Sequence, residues 1–182
     1  GIGESVGVWG VGGVGTHVVQ LARLVGAAPI IAVDINAVAR DRALELGADY
    51  AFDSRDPELK EKIAEVTAGR KLDVAFDAVG LKVTFEQALD CLTVGGRLVG
   101  VGMSAECPSV GPTSMFGLSK KQVLGHLGYQ NADIETLARL VSLGRLDLSR
   151  SISSVIPLED IRDGIGMLER ADGNPIRILV QP

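Results

Sequence analysis

Val6-Gly7-Val8-Trp9-Gly10-Val11-Gly12-Gly13-Val14-Gly15 carries an apolar run straight into three glycines spaced G-x-G-x-x-G. Its reading decides the fold. A short apolar run that stops at glycine is the pattern of a buried strand. Gly10 permits the tight turn out of that strand, Gly12 lets backbone approach a phosphate with no side chain between, and Gly15 lets the next helix pack close. A helix starting there offers unpaired N–H groups and the positive end of its dipole. Val14, Val18, Leu21, Ala22 and Val25 recur at helical spacing and predict its buried face, with His17, Gln20 and Arg23 pointing elsewhere. Gly10, Gly12, Gly13, Val14 and Gly15 therefore read as the cradle of a dinucleotide pyrophosphate.

The next apolar run, Ile30-Ile31-Ala32-Val33, ends in Asp34, nineteen positions past Gly15. A carboxylate there accepts hydrogen bonds from both adenosine ribose hydroxyls, with Ile35 beside it, and repels the 2′-phosphate of NADP, so the expected cofactor is NAD. Asn36 is placed to cap a helix carrying Val38, Ala39, Arg42, Ala43 and Leu46. Arg40 and Arg42 bring positive charge near the same spot. Other nucleoside ligands, such as S-adenosylmethionine, also suit a glycine turn followed by a ribose-binding acid.

The chain has 182 residues, 46% of them hydrophobic and only 4% aromatic, so its core is aliphatic and of one domain's size. Eighteen basic residues against 23 acidic ones give a net charge of −5 without basic clusters, which argues against nucleic acid or an anionic membrane as partner. No apolar run approaches the roughly 20 residues of a membrane span, and no secretory layout is present, so a cytoplasmic location is expected. Cys91 and Cys107 lack C-x-x-C spacing, and His17 and His126 are the only histidines. A metal site within this chain is not expected.

Strand and helix patterns then alternate. Tyr50-Ala51-Phe52 precedes a helix opened by Asp56-Pro57, and Val74-Ala75-Phe76-Asp77 precedes one from about Lys82 to Leu92. Arg97-Leu98-Val99-Gly100-Val101 and Val123-Leu124-Gly125-His126 follow. Six short strands separated by helices predict an α/β, doubly wound Rossmann fold: a six-stranded parallel sheet in the order 3-2-1-4-5-6 with helices on both faces. The ligand would lie across the carboxyl ends of the strands, at Gly10 to Gly15, Asp34, Asp77 to Gly80, Val101 to Met103 and His126 to Gly128.

The run from Gly3 to Gly15, together with Ala43-Leu44-Glu45-Leu46-Gly47-Ala48-Asp49, Asp73 to Gly80, Gly95-Gly96-Arg97-Leu98-Val99 and Pro157-Leu158-Glu159-Asp160-Ile161, resembles the cofactor domain of medium-chain, zinc-type alcohol dehydrogenases. The resemblance covers essentially the whole chain. It implies that Val79 and Gly80 border the adenine and ribose pocket, and that Val101, Gly102 and Met103 line the nicotinamide. Backbone near His126, Leu127 and Gly128 would bond the carboxamide, and Arg177 would pair with the pyrophosphate. Without the resemblance, these valines fit ordinary sheet core equally well. The position where relatives place a basic residue near the ribose is Ala39, and the sequence leaves open whether Arg40 serves instead.

The family's zinc ligands, proton relay and most of its substrate pocket lie in an N-terminal domain with no counterpart here, and the chain does not start with methionine. It is expected to be a piece of a longer enzyme: an NAD-binding domain at 1–150, then a helix and strand at 151–182 that return to the missing catalytic domain. The piece alone would bind NAD without catalysis, holding no catalytic residue and no zinc. The full enzyme, a homodimer or tetramer with zinc, would move hydride between an alcohol or carbonyl and NAD. Val110 to Leu118 lies where relatives pair, and Ile134, Leu137, Ala138 and Val141, then Leu158, Ile161, Ile165 and Leu168, form two further helix faces. A zinc-independent quinone or enoyl reductase and a non-redox nucleotide-binding domain are the alternatives. The Tyr-x-x-x-Lys dyad of short-chain dehydrogenases does not fit, because Tyr129 is followed by Asp133.

Overall fold

Val6–Trp9 forms β1, buried at all four positions, because its side chains are covered on both faces of a sheet. In the computed structural model, which describes residues 1–170 and 173–182, β1 pairs in parallel with β2 (Ile30–Val33) on one side and β4 (Leu72–Asp77) on the other. β3 (Tyr50–Phe52), β5 (Leu92–Gly100) and β6 (Gln122–Gly125) complete a six-stranded sheet in the order β3-β2-β1-β4-β5-β6. The expected order holds. Its register sets Trp9 opposite Val33 and Asp77, Asp77 opposite Gly100, and Gly100 opposite Gly125. The loops that follow these strands therefore leave the sheet along one edge.

Helices cover both faces. Val6 and Val8 pack with Val19 and Ala22 of α1 (Gly15–Leu24) and Ala39 and Ala43 of α2 (Ala37–Glu45). Trp9, Ile31 and Val33 pack on the opposite side with Leu59 and Ile63 of α3 (Leu59–Val66) and Ala88 and Leu89 of α4 (Lys82–Asp90). The α1 face differs from expectation. Gly15, Thr16, Val19 and Ala22 are its buried residues, whereas Val14 and Val25 are more than half exposed. Close seating of Gly15 on the first strand's turn rotates the helix, and Val18, Leu21 and Val25 instead line an apolar groove with Val6, Val74, Phe76 and Val99. Asn36 caps α2 as expected, its Oδ1 accepting the Ala39 N–H at 3.2 Å.

Asp56 accepts the Leu59 N–H through its carbonyl and the Glu58 N–H through its carboxylate, so α3 begins at Leu59 rather than at Pro57. Cys91 ends α4 as a buried free thiol, and β5 begins one residue later. After β5, α5 (Thr113–Ser119) has no buried residue, and the edge strand β6 is exposed along its length.

The chain divides into two compact units, Gly1–Gly128 and Tyr129–Pro182. The second unit contains α6 (Asn131–Ser142), β7 (Ser154–Pro157), α7 (Ile161–Arg170) and β8 (Ile178–Gln181), with β7 and β8 paired in parallel as their own sheet. None of α6 is buried. Gly164, which weakens α7 by propensity, is its buried residue and gives room to Ile156 of β7. Among the described residues no helix is long and apolar enough to cross a membrane.

Candidate functional site

Gly10 leaves β1 at φ +80° and donates its N–H to Val33 O at 2.8 Å, which turns the chain across the end of β2. A Cβ on Gly10 would stand 2.4 Å from Val79 Cγ2, and one on Gly15 would stand 1.8 Å from Gly10 O. These two glycines are fixed by packing. Gly12 is different: nothing lies within 4 Å of the position a Cβ would take. The space above its backbone is open, as a site for a diphosphate requires. Thr16 ties the loop to the helix, donating its hydroxyl to Val11 O at 2.7 Å and its N–H to Gly12 O at 3.2 Å. Gly13 and Val14 complete the loop, Val14 immediately preceding α1.

Asp34 is held from two sides. Its Oδ2 accepts the Val11 N–H at 2.9 Å and its Oδ1 accepts the Asn36 N–H at 2.8 Å. The first bond links the glycine loop to the end of β2, so the loop and the carboxylate are held in a fixed relation to one another. Each carboxylate oxygen keeps lone-pair capacity for a further donor. Ile35 is 59% exposed and forms the wall of a cleft of about 500 Å³ with Trp9, Gly10, Asp34, Val79 and Leu81. Arg40 does not reach outward in the manner of a free cation: its Nη1 donates to Asp34 O at 2.8 Å and lies 3.5 Å from Asp53 Oδ2.

The far wall rests on Asp77, a residue not singled out from sequence except as a strand end. It is 1% exposed. Its Oδ1 accepts the Val79 and Gly80 N–H groups, both at 3.1 Å, and the Thr84 hydroxyl at 3.0 Å, while its carbonyl accepts the Val101 and Gly102 N–H groups. Gly80, at φ +83°, packs backbone to backbone on Gly102. Val79 and Gly80 are thus joined to Val101, Gly102 and Met103, the last 76% exposed. Ser104 adds a hydroxyl bond to Gly80 O at 2.5 Å, and Glu106 accepts the Lys82 N–H at the start of α4.

His126 donates its N–H to Gly100 O at 3.0 Å, so that group is engaged in the sheet and only its carbonyl remains for a ligand. Leu127 is 79% exposed, and Gly128 takes φ +74°. Arg177 lies in the second unit just before β8, its carbonyl accepting the Ser153 N–H at 2.8 Å. Cys91 lines the cleft, and burial pushes its thiol up to about 12. It is a neutral S–H. Among the described residues no group of three or more His, Cys, Asp or Glu could hold a metal ion.

Sequence reasoning missed Asp53 and Arg55: with β3 beside β2, the Asp53 carboxylate comes near Arg40 and the Arg55 guanidinium reaches Ile35 O. Arg55 Nη2 donates to Asp53 Oδ2 at 2.7 Å and to Ile35 O at 3.2 Å. These hydrogen bonds hold the Asp53 carboxyl well below the usual carboxylate range.

The family profile of zinc-binding dehydrogenases matches residues 13–142. An NDMA-dependent alcohol dehydrogenase from Amycolatopsis methanolica is 35% identical over 96% of this chain and 48% of its own length. The crystal structure of 2R,3R-butanediol dehydrogenase from Bacillus subtilis superposes with a TM-score of 0.87 at 28% identity, over 100% of this chain and 51% of that one. A Sinorhizobium meliloti structure assigned as a zinc-binding dehydrogenase and bound to NADP gives a TM-score of 0.90 at 28% identity, over 100% of this chain and 53% of that one. The chain thus spans about half the length of the relatives it matches.

Proposed function

Because the chain belongs to the zinc-binding dehydrogenase family, we propose that it is the NAD(H)-binding domain of a medium-chain alcohol or polyol dehydrogenase that moves hydride between an alcohol or carbonyl carbon and the nicotinamide. When bound, NAD supplies the hydride acceptor or donor. The residues of this chain bind and orient it. The open backbone at Gly12 beside the start of α1 suits the pyrophosphate, Asp34 the adenosine ribose, Ile35 and Val79 the adenine, and Val101, Gly102 and Met103 the nicotinamide.

The observation that carries the reading is the fixed carboxylate of Asp34, anchored by the glycine loop's own Val11 N–H. A carboxylate so held accepts from a 2′,3′-diol and repels a 2′-phosphate, which supports NAD over NADP. The engagement of Arg40 with Asp34 O and Asp53 supports the same preference, since its charge is already compensated. The described residues offer no seat for the family's zinc; the reading assigns zinc, the proton relay and the substrate pocket to other parts of a longer protein. A cytoplasmic enzyme assembled as a homodimer or tetramer belongs to the same reading, supported by the exposed Met115 and Leu118 on α5 and the open edge of β6.

Trp9, the one tryptophan, immediately precedes Gly10 and permits a direct test. Excited while NADH is titrated, it should show saturable energy transfer to the reduced nicotinamide. The transfer should weaken at least about tenfold in apparent affinity in Asp34→Ala, and NADPH should bind more weakly than NADH. Preference for NADPH would favour the quinone and enoyl reductases of the superfamily; binding of neither would overturn the dinucleotide reading.

A further inference from the structure

Two arginines and an aspartate form a charged cluster beside the ribose carboxylate. Asp53, just after β3, receives Arg55 in a two-pronged arrangement, Nε to Oδ1 at 3.0 Å and Nη2 to Oδ2 at 2.7 Å. Arg55 Nη2 also reaches Ile35 O at 3.2 Å, and Arg40 Nη1 reaches Asp34 O at 2.8 Å while standing 3.5 Å from Asp53 Oδ2. Both guanidinium groups therefore sit on the carbonyls of the two residues that carry the ribose end of the site. Asp53 lies between them. Arg55 lines the cleft together with Asp34 and Ile35, and its side chain is 70% exposed.

Charge decides what this cluster can accept. Asp53 is the carboxylate that meets both guanidiniums, whereas Arg40 meets Asp34 only at its backbone carbonyl. Without the Asp53 charge the cluster would be cationic, with a planar guanidinium at the cleft wall of the kind that binds phosphate in a bidentate manner. We propose that Asp53 is a second determinant of cofactor choice: it compensates Arg40 and Arg55, which otherwise form a seat for the 2′-phosphate of a phosphorylated dinucleotide. This rests on the reading of the cleft as an NAD(H) site.

Asp53 also accepts the Arg55 N–H and its carbonyl the Asp56 N–H, so it shapes the turn after β3. Asp53→Asn keeps Oδ1 to accept the Arg55 N–H and Nε, while its amide nitrogen replaces Oδ2, so the charge is removed and Arg55 Nη2 and Arg40 Nη1 lose their acceptor. The test titrates NADH and NADPH against Trp9 energy transfer, both with Asp34 present and in Asp34→Ser, where repulsion by Asp34 no longer masks a gain. Asp53→Asn should raise NADPH affinity relative to NADH by about tenfold, the effect of one charge at short range in a medium of intermediate dielectric. NADH affinity itself should move less than about twofold. Adding Arg40→Ala and Arg55→Ala should return the ratio to its starting value, a result that loosening of the turn would not give. An unmoved ratio, or a gain that survives loss of both arginines, overturns the proposal while NADH binding stands. If the unsubstituted chain binds neither dinucleotide, the cofactor reading falls and this proposal with it.

Discussion

Gly12 and Gly15 belong to one motif, yet a methyl group added at each meets different surroundings. At Gly15 the new Cβ would stand 1.8 Å from Gly10 O, backbone that cannot yield without opening the turn after β1. Gly15→Ala is therefore expected to destabilise the protein by about 3 kcal/mol, seen as a lowered urea midpoint. At Gly12 the methyl meets nothing within 4 Å. Gly12→Ala should leave stability within about 0.5 kcal/mol of the parent while lowering NADH affinity at least about tenfold, because the methyl fills the approach to the diphosphate. Equal stability losses in the two variants would remove the distinction and, with it, the reading of Gly12 as the ligand's side of the loop. The turn at Gly10, the close packing of Gly15 and the Asn36 cap were legible in the sequence because glycine spacing and a capping residue before a helix are patterns carried within a few positions of chain. Asp53 was not, because its meaning comes from Arg40, thirteen residues earlier and on another element.

Asp77 governs how β4, α4 and β5 meet. Its buried Oδ1 receives two N–H groups from the turn and one hydroxyl from α4, and its carbonyl receives two N–H groups after β5. Asp77→Ala leaves the Val79, Gly80 and Thr84 donors without that acceptor in a buried place. A loss of about 3 kcal/mol is expected, with Asp77→Asn, which retains Oδ1, losing about 1 kcal/mol. Urea unfolding at unchanged m-value reads both; equal losses in Ala and Asn would show that the negative charge, and not the acceptor atom, holds the corner. Existence and order of these elements could be read from alternating apolar runs. Orientation was less accessible: the apolar positions of α1 span more than one face, and only the seating of Gly15 on Gly10 selects Val19 and Ala22 over Val14 and Val25 as the buried ones.

Both core clusters are drawn entirely from residues that precede Gly128, from Val6 to Leu98 for the buried members. The segment from Tyr129 onward buries little of its own: Leu146, Ser151 and Gly164 among its described residues. Its apolar helix positions, Ile134, Leu137 and Val141 on α6 and Ile161, Ile165 and Leu168 on α7, are all more than a third exposed. Periodicity in the sequence announced those faces correctly as apolar, but periodicity does not say whether anything covers them. A segment this short, with so small a buried core, cannot offset the conformational entropy of ordering its backbone. Residues 1–128 alone are therefore expected to give a folded far-UV circular dichroism spectrum and a single cooperative urea transition, and residues 129–182 alone a spectrum of unfolded chain with no transition. A cooperative transition in the isolated 129–182 segment would show that its parallel β7–β8 pair and α7 suffice as an independent core. Failure of 1–128 to fold would show that the six-stranded sheet needs more than its two clusters to stand.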